Sequence, residues 1–168
     1  MKKFAALTLL LAAPLTAQNG EPYYAPAVWP VHASGTACTI IQVSGGDDAA
    51  LSIELQGREV LLTSTSSVES ELPETGKVEL ALVFLDNGRV RRDDGWGTRE
   101  FTYARAGDLY RFSTRFAGDR NMRQILSDLA ASRSLGILQG EQVIFSFDLA
   151  DIAPSIARLE ECSGRARN

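Results

Sequence analysis

The chain predicts an α+β fold: a mainly antiparallel β-sheet of hairpins and meanders, packed by two helices and closed by one disulfide. Three observations lead there. Much of residues 39–116 alternates apolar and polar side chains with a period of two, short turn signals rich in glycine punctuate that alternation, and two later stretches carry apolar residues at helical spacing.

Met1, Lys2 and Lys3 precede an apolar run over residues 4–11 and a small-residue stretch ending at Ala17, the pattern of a secretory signal peptide over residues 1–17. The run is too short to span a bilayer. No cysteine follows it directly and no second stretch could act as an anchor, so the expected product is periplasmic or secreted, with neither a lipid attachment nor a transmembrane segment. Residues 18–36 then read as an extended arm, because Pro22, Pro26 and Pro30 alternate with Tyr23, Tyr24 and Trp29. About 150 residues remain after the signal, which suits one core. The expected organisation is a single α+β domain over 37–164 and a short tail over 165–168.

Strand signals begin at Cys38. Residues 39–43 form a first run, and Leu51, Ile53 and Leu55 then alternate against Ser52, Glu54 and Gln56. Gly57 and Arg58 turn that strand into residues 59–63, with glycine first as a type II′ hairpin requires. Residues 77–85 are apolar on both faces, with Val78, Leu80, Leu82 and Phe84 on one and Ala81, Val83 and Leu85 on the other, as in a central strand. Asn87-Gly88 is the strongest hairpin signal in the chain, returning residues 89–92. Asp93 to Gly97 reads as a loop, and residues 100–103 pair with 109–116 across Ala106-Gly107-Asp108.

Met122, Ile125, Leu126, Leu129 and Ala130 make one apolar stripe, predicting a helix over about 120–132 with Asp119 as N-cap. A last hairpin joins 135–138 to 141–149 and places Val143, Phe145, Phe147 and Leu149 on one face. The final helix begins near Asp151, tolerates Pro154 in its first turn and stops before Gly164. Cys162 extends its Ile152, Ile156, Leu159 stripe, and in an oxidising compartment the two cysteines predict a Cys38–Cys162 disulfide.

Cys38 on the first strand, Phe84-Leu85-Asp86-Asn87-Gly88 closing a central strand, and Phe145-Ser146-Phe147-Asp148-Leu149 followed by Ala157, Leu159 and Cys162 resemble the small exported proteobacterial domains grouped with the invasion-associated locus B proteins. The resemblance implies an envelope protein without known catalysis and carries no active site to transfer.

Charge and residue counts narrow the chemistry further. The 168 residues hold 17 basic and 21 acidic side chains, and loss of Lys2 and Lys3 with the signal moves the formal charge from −4 to −6. Nucleic acid is therefore not an expected partner. The only histidine, His32, sits in the proline-rich arm, so neither a Ser-His-Asp nor a Cys-His site is expected. One histidine and an oxidised cysteine pair cannot supply a zinc site. Asp93-Asp94 beside Trp96 could serve a glycosidase-like site or simply turn the chain, and Asp47-Asp48 after Gly45-Gly46 is a turn before it is an ion site. No cofactor is expected.

Residues 89–123 hold nine arginines and five acids among six aromatics. Period-two geometry puts Tyr110, Phe112 and Phe116 on the core side of their strand and Arg111 and Arg115 on the other. Arg120 and Arg123 occupy the first turns of a helix, where the macrodipole disfavours cations by roughly 0.3–1 kcal/mol each. Arg111, Arg115, Arg120, Arg123 and Trp96 are thus the candidate anion- or partner-binding set, against the alternative that nearby acids such as Asp119 pair with the arginines. The functional expectation is an exported, non-catalytic protein that binds an envelope component or another protein. The alternatives are an inhibitor of a secreted basic hydrolase such as a lysozyme, using the acidic half over 18–86, and a carboxylate-dependent hydrolase.

Overall fold

The computed structural model describes residues 29–43, 49–67, 72–86, 89–90 and 96–165. Nine strands run in one antiparallel sheet: β1 (Val31–Ser34), β2 (Ala37–Val43), β3 (Ala50–Gln56), β4 (Glu59–Ser66), β5 (Thr75–Asp86), β7 (Gly97–Ala106), β8 (Leu109–Ala117), β9 (Ser134–Gln139) and β10 (Gln142–Asp148). The short β6 (Arg89–Val90) pairs with the end of β5. Helix α1 (Asp119–Ala131) separates β8 from β9, and α2 (Ala153–Arg165) follows β10. The spatial order is β1-β2-β3-β4-β8-β7-β5-β9-β10. The architecture is α+β and mostly β, with the disulfide in place.

Local chemistry explains the hairpins. Gly35, Gly57, Gly107 and Gly140 each take the first position of a two-residue turn with φ between 58° and 69°, which only glycine adopts without strain. Asp86 and Arg89 pair across residues 87–88, but the Asn87-Gly88 turn, Asp93-Asp94, Asp47-Asp48 and the signal segment lie outside the described residues.

One face of the sheet is the core. Ile40, Ile53 and Leu62 stand side by side in register on β2, β3 and β4, and Leu82, Ile137 and Phe145 do so on β5, β9 and β10; all six are buried. The helices cover this face through Ile125, Leu126 and Leu129 of α1 and Ile156, Leu159 and Cys162 of α2. Cys38 and Cys162 are bonded, their Cα atoms 6.1 Å apart, so α2 is stapled to β2.

Of the residues 18–36 read as an arm, Trp29, the first described, packs onto the folded body. Trp29 is 1% exposed, its Nε1 donates to the Ala150 carbonyl at 2.9 Å, and the buried Ser155 hydroxyl donates to the Trp29 carbonyl at 2.7 Å. Residues 31–34, read as arm, are a paired edge strand.

Three local expectations are corrected. Asp119 is the first residue of α1 rather than its N-cap: Gly118, with φ 89°, occupies that position, and Asp119 pairs with Arg58 at 3.3 Å. Helix α2 starts two residues after Asp151, whose φ of 61° is incompatible with a right-handed helix, and it continues through Gly164. Val143 does not share a face with Phe145, because a bulge between them turns Val143 outward to 48% exposure while Phe145 and Phe147 stay buried.

The cystine closes a sequence separation of 124 residues. Replacing Cys38 and Cys162 together by alanine is expected to lower the unfolding free energy by about 4 kcal/mol in denaturant titration, and an unchanged midpoint would contradict the loop-closure account. Trp29→Ala is expected to cost about 3–5 kcal/mol by the same measurement, since it empties a buried site and leaves the Ala150 carbonyl without its donor.

Candidate functional site

Strands β7 and β8 are paired only from Thr102↔Ser113 to Ala106↔Leu109. Continued by one step, the register would join Phe101 to Thr114, and by two, Glu100 to Arg115. Neither pair forms, although β7 keeps its partner β5 as far as Gly97 and β8 keeps β4 as far as Ala117. The sheet therefore opens into a slot between residues 97–101 and 114–117. A cavity of about 470 Å³ occupies it, lined by Leu61, Thr98, Arg99, Glu100, Thr102, Ser113, Thr114 and Arg115.

Side chains take over part of the broken ladder. The Thr114 hydroxyl donates to the Glu100 carbonyl at 3.1 Å and an Arg99 Nη to the Arg115 carbonyl at 3.1 Å, while at the last intact pair the Thr102 hydroxyl adds a bond to the Ser113 carbonyl at 3.4 Å. In an antiparallel strand a residue's N–H and C=O point to the same neighbour. The amides of Glu100 and Arg115 consequently face into the slot alongside their carbonyls.

Arg99 forms the floor. It shares the core-facing side of β7 with buried Phe101 and Tyr103, which is an uncommon place for a cation. Its guanidinium lies 4.3 Å from the Phe116 ring centroid and 5.6 Å from that of Trp96, and the two rings meet edge to face at 4.9 Å. These contacts place the cation over aromatic faces. Burial depresses its pKa, and no acid contributes to offset that shift. Its Nε is buried with no acceptor.

The ion pairs around the rim contrast with that floor. Arg115 pairs with Glu59 at 2.9 Å and Lys77 with Glu100 at 2.8 Å, each with side chains 45–65% exposed. The rim is thus charge-balanced by pairs while the deeper Arg99 has no carboxylate partner among the described residues.

The five residues expected to form one binding set do not share a surface. Arg111 and Arg115 stand on the open face of β8, whereas Arg120 and Arg123 are exposed on α1, on the helical side of the sheet. Trp96 is half-buried and packs on the core: its Nε1 donates to Asp128 of α1 at 3.0 Å, and its backbone N–H donates to Leu82 of β5 at 3.2 Å. Arg115 alone of the five lines the slot. Arg99 was not in that set, because the strand was read as starting at Glu100; extended by one residue, the Arg99, Phe101, Tyr103 alternation places the arginine on the core side. His32 lies on edge strand β1 opposite Thr39 and makes no side-chain hydrogen bond among the described residues. Among those residues no three His, Cys, Asp or Glu side chains gather as metal ligands, and no helix is long and apolar enough to cross a membrane.

No family model, no curated protein and no solved structure matches the chain.

Two substitutions separate the slot's floor from its walls. Arg99→Met keeps a long apolar stem on Trp96 and Phe116 and removes a partly desolvated charge, and the exposed Arg115 carbonyl that loses its donor turns to water, so the unfolding free energy is expected to change by less than about 1 kcal/mol. Thr114→Val, at a position 5% exposed, strands the Glu100 carbonyl and is expected to cost about 1–2 kcal/mol. The reverse order in denaturant unfolding would show that Arg99 is there for stability.

Proposed function

We propose that this chain is an exported, non-catalytic binding protein that holds a component of the cell envelope in the slot between β7 and β8. The observation that carries the reading is Arg99: a partly buried guanidinium on the core side of a strand, over two aromatic rings and without a carboxylate partner among the described residues. A protein gains little stability by burying an unpaired cation, and such a group is usual where a ligand completes its surroundings. The Cys38–Cys162 cystine supports the extracytoplasmic address, since buried disulfides of this kind persist in oxidising compartments. The Met1 to Ala17 segment supports it independently through its sequence pattern. The resemblance to exported envelope domains points the same way.

The slot suits binding better than turnover. Its polar groups are hydroxyls, backbone amides and the ion-paired Arg115 and Glu100, with no histidine among its lining residues to move a proton.

The test is retention of envelope components by the oxidised protein, compared with a Thr102→Trp variant that fills the slot mouth at an exposed strand position where an aromatic residue is well tolerated. A component identified by mass spectrometry on the wild type and lost from Thr102→Trp is the expected outcome. Equal retention by both proteins, or none by either, would overturn a binding role for the slot.

A further inference from the structure

We infer that the slot takes a single carboxylate, with Arg99 as its anchor and the backbone amides of Glu100 and Arg115 as auxiliary donors. This rests on the proposal that the slot is a binding site, and it names the chemistry of what enters. Of the five N–H donors of the Arg99 guanidinium, one meets a protein acceptor, the Arg115 carbonyl. Nε is buried, so an entering carboxylate meets the Nη donors, whose planar arrangement suits two parallel hydrogen bonds.

Charge selects the valence. The Arg115–Glu59 and Lys77–Glu100 pairs cancel at the rim, and among the described residues the charge of Arg99 beneath them has no carboxylate partner. A monoanion neutralises that charge, whereas a dianion such as phosphate brings a second negative charge between Glu59 and Glu100. The partial burial of Arg99 strengthens its attraction for an anion that reaches it.

The shape of the slot allows the carboxylate to arrive at the end of an extended chain. Its walls are strand edges whose amides and carbonyls match a peptide backbone, and the Thr98, Thr102 and Ser113 hydroxyls add adaptable partners. A free small carboxylic acid satisfies the same anchor without using the walls. The two sources differ in how much of the 470 Å³ cavity they fill.

The test follows the backbone amide resonances of the intact, oxidised protein during titration with four probes: N-acetyl-tetra-alanine with a free C-terminus, the same peptide as its C-terminal amide, acetate, and inorganic phosphate. The expected result is a saturable shift at Glu100 and Arg115 with the free acid, at least about tenfold weaker with the amide and lost in Arg99→Met. Acetate saturating as tightly as the peptide acid identifies a small acid as the source; a peptide acid about tenfold tighter identifies a chain end, and both support the anchor. Amide binding as tight as the acid, a preference for phosphate, or an unaltered titration in Arg99→Met would overturn it. If Arg99→Met fails to fold, Arg99→Lys, which keeps the charge and loses the fork, is expected to bind more weakly, and the acid-against-amide comparison in the wild type decides alone. Retention of an envelope component that Thr102→Trp abolishes, with no response to any carboxylate, would leave the binding role standing and remove this inference.

Discussion

Strands β7 and β8 meet in the middle of the sheet with only five residue pairs between them, and the consequences of that short seam reach through the whole molecule. Each strand is held along the rest of its length by its other neighbour, β7 by β5 and β8 by β4. The sheet is therefore two well-paired halves joined at one end, and the opposite end of the join is filled by side chains instead of a ladder. Phe116, Trp96 and the Arg99 guanidinium stack beneath the gap, and α1 holds the stack from below through the Trp96 to Asp128 hydrogen bond. A hydrogen-bonded carbonyl can be satisfied by a hydroxyl or a guanidinium as well as by an amide, which is how Glu100 and Arg115 tolerate the split. What the side chains do not restore is the closed backbone, and the resulting opening faces the uncovered side of the sheet.

The strongest links in the fold lie elsewhere. Helix α2 is fixed to β2 by the cystine and to Trp29 by the Ser155 hydroxyl, which donates to the Trp29 carbonyl, while Trp29 Nε1 donates to the Ala150 carbonyl just before the helix. Those links lie on the β1–β3 side of the sheet, away from the slot, and they constrain chain segments more than a hundred residues apart in sequence. A domain stabilised in this way can retain a partly buried cation that has no carboxylate partner among the described residues. The staple and the slot thus lie at different ends of the same core.

Period-two alternation made most of this architecture legible. Leu51, Ile53 and Leu55, or Tyr110, Phe112 and Phe116, declare their face because each strand has one side in the core and one in water. The cystine was legible for a different reason: the sequence holds two cysteines and opens with an export pattern that points to an oxidising compartment. What the pattern does not carry is where two strands stop pairing, since β7 and β8 alternate correctly on either side of the point at which they part. Arg99 was hidden by the same limit: a cation at the edge of a predicted strand looks like solvent-facing charge, and only the packed rings of Trp96 and Phe116 reveal its side. The bulge after Val143 was invisible because an extra residue leaves an apolar run looking continuous. Gly118 displaced Asp119 as N-cap because the chain leaves β8 with a positive φ, a demand set by the turn rather than by capping preference.

Native-state amide hydrogen exchange of the oxidised protein tests most directly whether the seam is open. The account predicts that Glu100 and Arg115, whose amides face the slot, exchange orders of magnitude faster than Phe101, which faces β5, despite lying in the same two strands. Equal protection at Glu100, Phe101 and Arg115 would mean that β7 and β8 remain laddered along their full length, and the site built on their separation would not exist.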